Sequence, residues 1–180
     1  MSDTKVITTK VRFSYAHVFE PTAIEEGQSK KYSVAILIPK KDKKLIAKIE
    51  AAIKAATEAG KAKTFGGKIP TSNFKLPLRD GDDERPDAEE YAGMLFLNAS
   101  SQTKPGLVDE NLDPIMDKEH FYSGCYGRAS INFYAFNKAG NKGVAAGLNN
   151  IQKLEDGEKL SGGGSSPEED FGTEADDDLG

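Results

Sequence analysis

The sequence predicts a small, mainly β domain, a barrel or strongly bent sheet, with one prominent amphipathic α-helix and a disordered acidic C-terminal tail. Three observations carry this. Several segments alternate apolar and polar residues with the period of two that a half-buried strand needs. One segment, residues 43–59, has an apolar stripe at helical spacing. Residues 161–180 hold seven acids and no base behind a Gly/Ser-rich run, a composition that cannot build a core.

The chain has 180 residues, enough for one domain. Residues 1–160 form the expected body and 161–180 the linker and tail. The first strand is predicted over 5–19, where Val11, Phe13 and Tyr15 alternate with Arg12 and Ser14. A turn follows, marked by Pro21, Gly27 and Ser29. The second strand spans 31–38. Tyr32, Val34, Ile36 and Ile38 share one face and Ser33, Ala35 and Leu37 the other; both faces turn apolar, which predicts a central strand ended by Pro39.

The helix has Asp42 as N-cap and Gly60 as its stop. Its stripe is Leu45, Ile46, Ile49, Ile53 and Ala56; Lys43, Lys44, Lys48 and Lys54 lie off it, on a solvated face. Residues 61–79 are irregular and basic, with Phe65 and Phe74 set between cations, and 80–90 form an acidic loop. A short apolar strand at 93–99, a loop at 103–119 with pairing at Leu107 and Val108, the longest strand at 124–136, a turn at 139–143 and a last strand at 144–154 complete the body.

Net charge is −5. Without the tail the body holds 24 bases against 22 acids, and between Lys30 and Lys68 eleven lysines face Asp42, Glu50 and Glu58. A basic body with an acidic tail points to a polyanion partner for the first and basic protein partners for the second. No run approaches the ~20 apolar residues of a membrane span. The N-terminus lacks the apolar core of a secretory signal, and the single cysteine, Cys125, excludes an internal disulfide. The expected location is a reducing cytoplasm, with no membrane partner.

Segment 124–136 carries most of the functional signal. Cys125, Gly127, Ala129, Ile131, Phe133 and Ala135 suit a barrel interior. The opposite face sets Tyr126, Tyr134 and Phe136 beside Arg128, Ser130 and Asn132. Exposed aromatics grip unpaired bases whatever their sequence, because every base has a π-face. Lysines along a groove neutralise phosphates and make binding salt-dependent. The candidate phosphate contacts are Lys30, Lys31, Lys68, Lys75 and Arg79; the candidate stacking residues are Tyr122, Tyr126, Arg128 and Tyr134. In the tail, Glu168, Glu169, Asp170, Asp176, Asp177 and Asp178, with Phe171 as apolar anchor, are the candidate partner-binding residues.

Catalytic signals are weak. The acidic loop does not have EF-hand spacing, since Arg85 stands where the glycine belongs and Pro86 follows. Gly66-Gly67-Lys68 is not a phosphate-binding loop. Neither His17 nor His120 has ligand-like neighbours in sequence, and nothing marks Cys125 as reactive. No catalytic residue, metal ligand or cofactor is predicted. The rival readings are a metal-dependent nuclease using Asp80 to Glu90, and a virion structural or assembly protein.

The strings YSVAILIPKKD (32–42), PLRDGD (77–82), LNAS (97–100), FYSGCYGRASINFYAF (121–136) and GVAAGLNNIQKLEDG (143–157) resemble, in order and spacing, the phage and prophage single-stranded DNA-binding proteins. That resemblance implies an OB-like barrel, sequence-tolerant binding of single-stranded DNA in phage-type replication or recombination within a bacterial host, no enzymatic activity, a tail that recruits replication and recombination proteins, and a possible homodimer. One departure accompanies it: the helix follows the second predicted strand, where an OB-fold has it after the third.

Overall fold

The computed structural model describes residues 4–23, 30–138 and 141–160. Its strands are β1 (Lys5–Ile7), β2 (Val11–Thr22), β3 (Lys31–Pro39), β4 (Phe74–Lys75), β5 (Arg79–Asp80), β6 (Met94–Ser101), β7 (Gly106–Val108), β8 (Tyr126–Lys138) and β9 (Asn141–Glu155). The helices are α1 (Lys43–Gly60) and the single turn α2 (Gly81–Glu84), with a 3-10 turn at Glu89–Tyr91.

Strand pairing closes on itself. β2 pairs antiparallel with β3, β3 with β6, β6 in parallel with β9, β9 antiparallel with β8, and β8 again with β2. The result is an OB-like ring of five strands. Two seams are narrow: β6–β9 through Ala99↔Ala146 and Ser100↔Gly147, and β8–β2 through Val11↔Gly127 and Arg12↔Tyr126. Beside the second seam, Phe13 N–H donates to the Cys125 carbonyl at 3.0 Å and Gly124 N–H to the Phe13 carbonyl at 2.7 Å. The helix lies between the second and third ring strands, so the departure seen in the sequence is a real feature of the fold.

Inward side chains fill the ring. Phe13, Val34, Ile36, Ile38, Leu97, Ala99, Ile131 and Phe133 are buried, and Phe13 meets Phe121 at 5.4 Å between ring centroids. Helix α1 packs across β8 with its predicted stripe: Leu45, Ile49, Ile53 and Ala56 are buried, Ile46 is half-buried, and the four lysines are exposed. Asp42 caps it, accepting from the Leu45 N–H at 3.2 Å. Cys125 is buried, and burial pushes its thiol above the ordinary value.

Four expectations are corrected. The predicted strand 5–19 is two strands: β1 adds to the edge of β8 while β2 belongs to the ring, the break lying at Thr8–Lys10. The longest strand is β9, not β8. Phe65 is buried and Phe74 half-buried, joined edge to face at 5.4 Å, so they pack together and offer no stacking surface between cations. Gly60 does not stop the helix by a left-handed turn. It is the last helical residue, and a Cβ there would stand 2.3 Å from the Ala135 Cβ.

That contact reverses an ordinary effect. Gly→Ala in a helix normally stabilises by about 1 kcal/mol. Gly60→Ala should instead destabilise by about 1–3 kcal/mol, the usual cost of overpacking, seen as a lower urea midpoint; a raised midpoint would contradict the contact.

Candidate nucleic-acid interface

The outer face of the ring is organised by a bulge in β2. Ser14 is opposite Ala35 and His17 opposite Ser33, so three steps on β2 answer two on β3. Tyr15 sits in the extra step with φ 47°, in the left-handed region. Side chains below the bulge keep Phe13 inside; above it Val18 is inside and His17 outside. Simple alternation places Tyr15 with Phe13 in the interior, and the bulge turns it onto the outer face. A tyrosine held at positive φ costs about 1–3 kcal/mol, and such strain gathers at functional sites.

Tyr15 lies in a groove of about 1000 Å3 across β2, β3 and β6. Its floor is polar, with His17, Ser33, Asn98 and Ser100. Its cations are Lys31, Arg85 and Lys138, and among the described residues no Asp or Glu lines it. One wall is the lobe 79–93, which covers a satellite core of Leu37, Tyr91 and Phe96 on the outside of the sheet. Burial raises the Tyr91 hydroxyl above its ordinary pKa.

Arg85 joins lobe to groove. Its guanidinium lies 5.3 Å from the Tyr15 ring centroid, 5.5 Å from that of Tyr91 and 5.7 Å from that of Phe96. Its Nε is buried and, among the described residues, has no hydrogen-bond partner. A buried donor left unmet costs about 1–3 kcal/mol.

Three of the acids read from sequence as a possible metal site, Asp80, Asp82 and Glu84, are paired within the lobe or with Lys40. Lys40 Nζ lies 2.9 Å from an Asp80 oxygen and 2.7 Å from Asp82 Oδ2. Asp82 Oδ1 also accepts from the Gly93 N–H at 3.1 Å, and Glu84 holds Arg79. Among the described residues no group of three or more potential ligands could hold a metal ion.

Of the candidates from sequence, Lys31 lines the groove. Lys30, Lys68 and Lys75 are exposed but lie outside it, and Arg79 is neutralised by Glu84 while covering Phe96 at 5.3 Å. The β8 face does point outward. Tyr134 is 43% exposed, and Arg128 is exposed, bonded to the Gln152 Oε1 at 2.9 Å. Tyr126 is half-buried, its ring under Lys10 and Arg12 at 5.5 and 5.4 Å. Tyr122 stands apart, its hydroxyl 3.0 Å from Asp156 and 3.1 Å from the Gly157 carbonyl. The tail candidates Glu168 to Asp178 lie outside the described residues. Three further residues that line the groove, Tyr15, Arg85 and Lys138, are not singled out by the sequence. The first needed the bulge, the second sat in an acidic run, and the third is placed by a hairpin.

The lobe clamp is pH-dependent in a defined window. The hydrogen bond to Lys40 holds Asp80 and Asp82 below the ordinary carboxylate value of 3.8, and hydrogen bonds to Asp82 and then Asp80 raise Lys40 above 10.5. Depressed acids stabilise above 3.8 and lose that effect as pH falls through their folded values; a raised lysine stabilises below 10.5 and loses it as pH climbs through its folded value. Protection of the Gly93 amide from hydrogen exchange, corrected for intrinsic rate, should therefore be level across neutral pH and fall in acid. Lys40→Met should lower it already at neutral pH; unchanged protection in that variant would contradict the clamp.

Comparison with known proteins agrees with this architecture. The family model described as "Enterobacter phage Enc34, ssDNA-binding protein" matches residues 4–179. "Putative protein p50" of Acyrthosiphon pisum secondary endosymbiont phage 1 is 36% identical over 172 residues, covering 93% of this chain and 92% of that protein. The single-stranded DNA-binding protein of bacteriophage Enc34, solved in complex with ssDNA, superposes with a TM-score of 0.77 at 26% identity over 87% of this chain and 89% of that one. Bacteriophage T7 gp2.5, a single-stranded DNA-binding protein, shares the fold with a TM-score of 0.61 at 15% identity over 94% and 93%. On the strength of the matched length and the relative's identity, the chain belongs to the phage single-stranded DNA-binding protein family represented by that of Enterobacter phage Enc34.

Proposed function

We propose that this chain binds single-stranded DNA without sequence preference, in the groove over β2, β3 and β6, during phage-type replication or recombination in the host cytoplasm. The observation that carries the reading is the Arg85 guanidinium over the Tyr15 ring in a groove that no Asp or Glu lines among the described residues. Tyr15 and Arg85 supply flat surfaces that accept any base. Lys31 and Lys138 supply charge for the phosphates, and the polar floor supplies hydrogen bonds without a fixed donor pattern.

The test is fluorescence anisotropy with a dT oligomer and a duplex competitor at two salt concentrations. Single strands should win, with affinity falling steeply as salt rises. Tyr15→Ala and Arg85→Ala should each weaken binding by about 1–3 kcal/mol, the range of a lost stacking contact. Lys31→Ala and Lys138→Ala should each flatten the salt slope by about one unit. Equal affinity for duplex, or unchanged binding in the Tyr15 and Arg85 variants with melting temperatures preserved, would overturn the reading.

The acidic segment 161–180 completes the proposal. Its seven acids resemble a polyanion, so it competes for the cationic groove and docks basic partner proteins of replication and recombination. Removing it should tighten DNA binding at low salt, with the gain vanishing at high salt, and should abolish capture of those partners. Weaker DNA binding by the truncated protein would contradict that arrangement.

A further inference from the structure

The strand register continues the floor of the groove around the ring. His17 is opposite Ser33, Ser33 opposite Ser100, Ser100 opposite Gly147, Gly147 opposite Asn132, and Asn132 opposite Lys5. Register partners share a face, so these six residues form one polar row from the groove onto the β8–β1 surface. The row carries no acid. Neighbouring strands lie about 4.8 Å apart, so the step from β6 to β8 is only about 10 Å. Where the row arrives, Tyr134 and Ile7 are exposed, at 43% and 55%, on the same face as Lys5.

Gly147 is the crossing point. Glycine inside a strand weakens it and commonly marks either forced packing or the close approach of a ligand. Packing forces other strand glycines here: a Cβ at Gly127 would stand 2.0 Å from the Gln152 carbonyl oxygen, and one at Gly143 2.2 Å from that of Lys75. A Cβ at Gly147 would meet nothing nearer than 3.4 Å, with the Tyr134 ring at 3.6 Å, and φ is not positive. The fold therefore leaves room for a Cβ at this position, and it carries none.

We infer that the single strand proposed for the groove leaves it over Gly147 and continues to a second contact on Tyr134, with Lys5 on the neighbouring strand. This rests on the groove being the primary site. The bare backbone at Gly147 lets the strand cross β9 without being lifted off the sheet. Tyr134 then stacks a base that a short oligomer cannot reach. The second contact adds length-dependent affinity, and the groove alone serves short strands.

The experiment measures binding of the full chain and its Gly147→Val and Tyr134→Ala variants to dT oligomers at the two ends of the range for one OB fold, about 4 and about 16 nucleotides. Gly147→Val should fold with an unchanged or raised melting temperature, since valine favours strands. Each variant should lose about tenfold in affinity for the long oligomer, the scale of one lost stacking contact, and little for the short one. Wild-type affinity for the long oligomer in both variants would overturn the inference, as would equal losses at both lengths. If Gly147→Val does not fold, Tyr134→Ala decides alone. Arg85→Ala separates the two claims: a loss at both lengths upholds the groove whatever the other variants do, and no loss at either removes the groove and with it the extension.

Discussion

Strand β9 pairs on both sides, in parallel with β6 and antiparallel with β8, and the continuity of the molecule depends on it. Through β9 one inner row runs Val34, Ala99, Ala146, Phe133, and one outer row runs Ser33, Ser100, Gly147, Asn132. Each residue of the ring is therefore assigned to core or surface by a register fixed several strands away. A slip of one residue at β9 would invert both rows at once. Because the inner row is apolar and buried, such a slip would expose it, and the core protects the geometry of the surface.

That coupling explains what the sequence made legible. Helix α1 was readable because its cap, Asp42, and its stripe from Leu45 to Ala56 are local signals. The two faces of β8 were readable because alternation from Cys125 to Phe136 runs without interruption. Tyr15 was not, because its orientation depends on an extra residue that β2 inserts against β3. Nothing in VRFSY distinguishes a bulged strand from a regular one. Gly60 read as a helix stop because its role is tertiary: Ala135, seventy-five positions later, occupies the space its side chain would need.

Charge was misread for a related reason. In sequence, residues 80–90 form an acidic run and Arg85 disappears within it. In the fold, Lys40 takes up Asp80 and Asp82, Arg79 takes up Glu84, and Arg85 is left over three aromatic rings with no carboxylate partner among the described residues. Pairing takes up Asp80, Asp82 and Glu84, and the contacts of Lys40 that hold the first two span some forty residues. The lysines of the α1 face spread over solvent, as their place off its apolar stripe predicts.

The groove also brings two costs together. Tyr15 is held at a backbone angle that side chains disfavour, and Arg85 keeps a buried donor unmet. Together these are worth a few kcal/mol against a typical stability of about 5–15 kcal/mol. Both are rigidly supported, the tyrosine by a bulge inside a paired strand and the arginine by the satellite core of Leu37, Tyr91 and Phe96. A surface prepared in this way spends little entropy in ordering itself when a ligand arrives. Flat rings and a fixed cation also impose no donor–acceptor pattern on what they hold. On the proposed function, strain in the free protein and indifference to base identity would share one structural origin, a stacking surface held open by the fold.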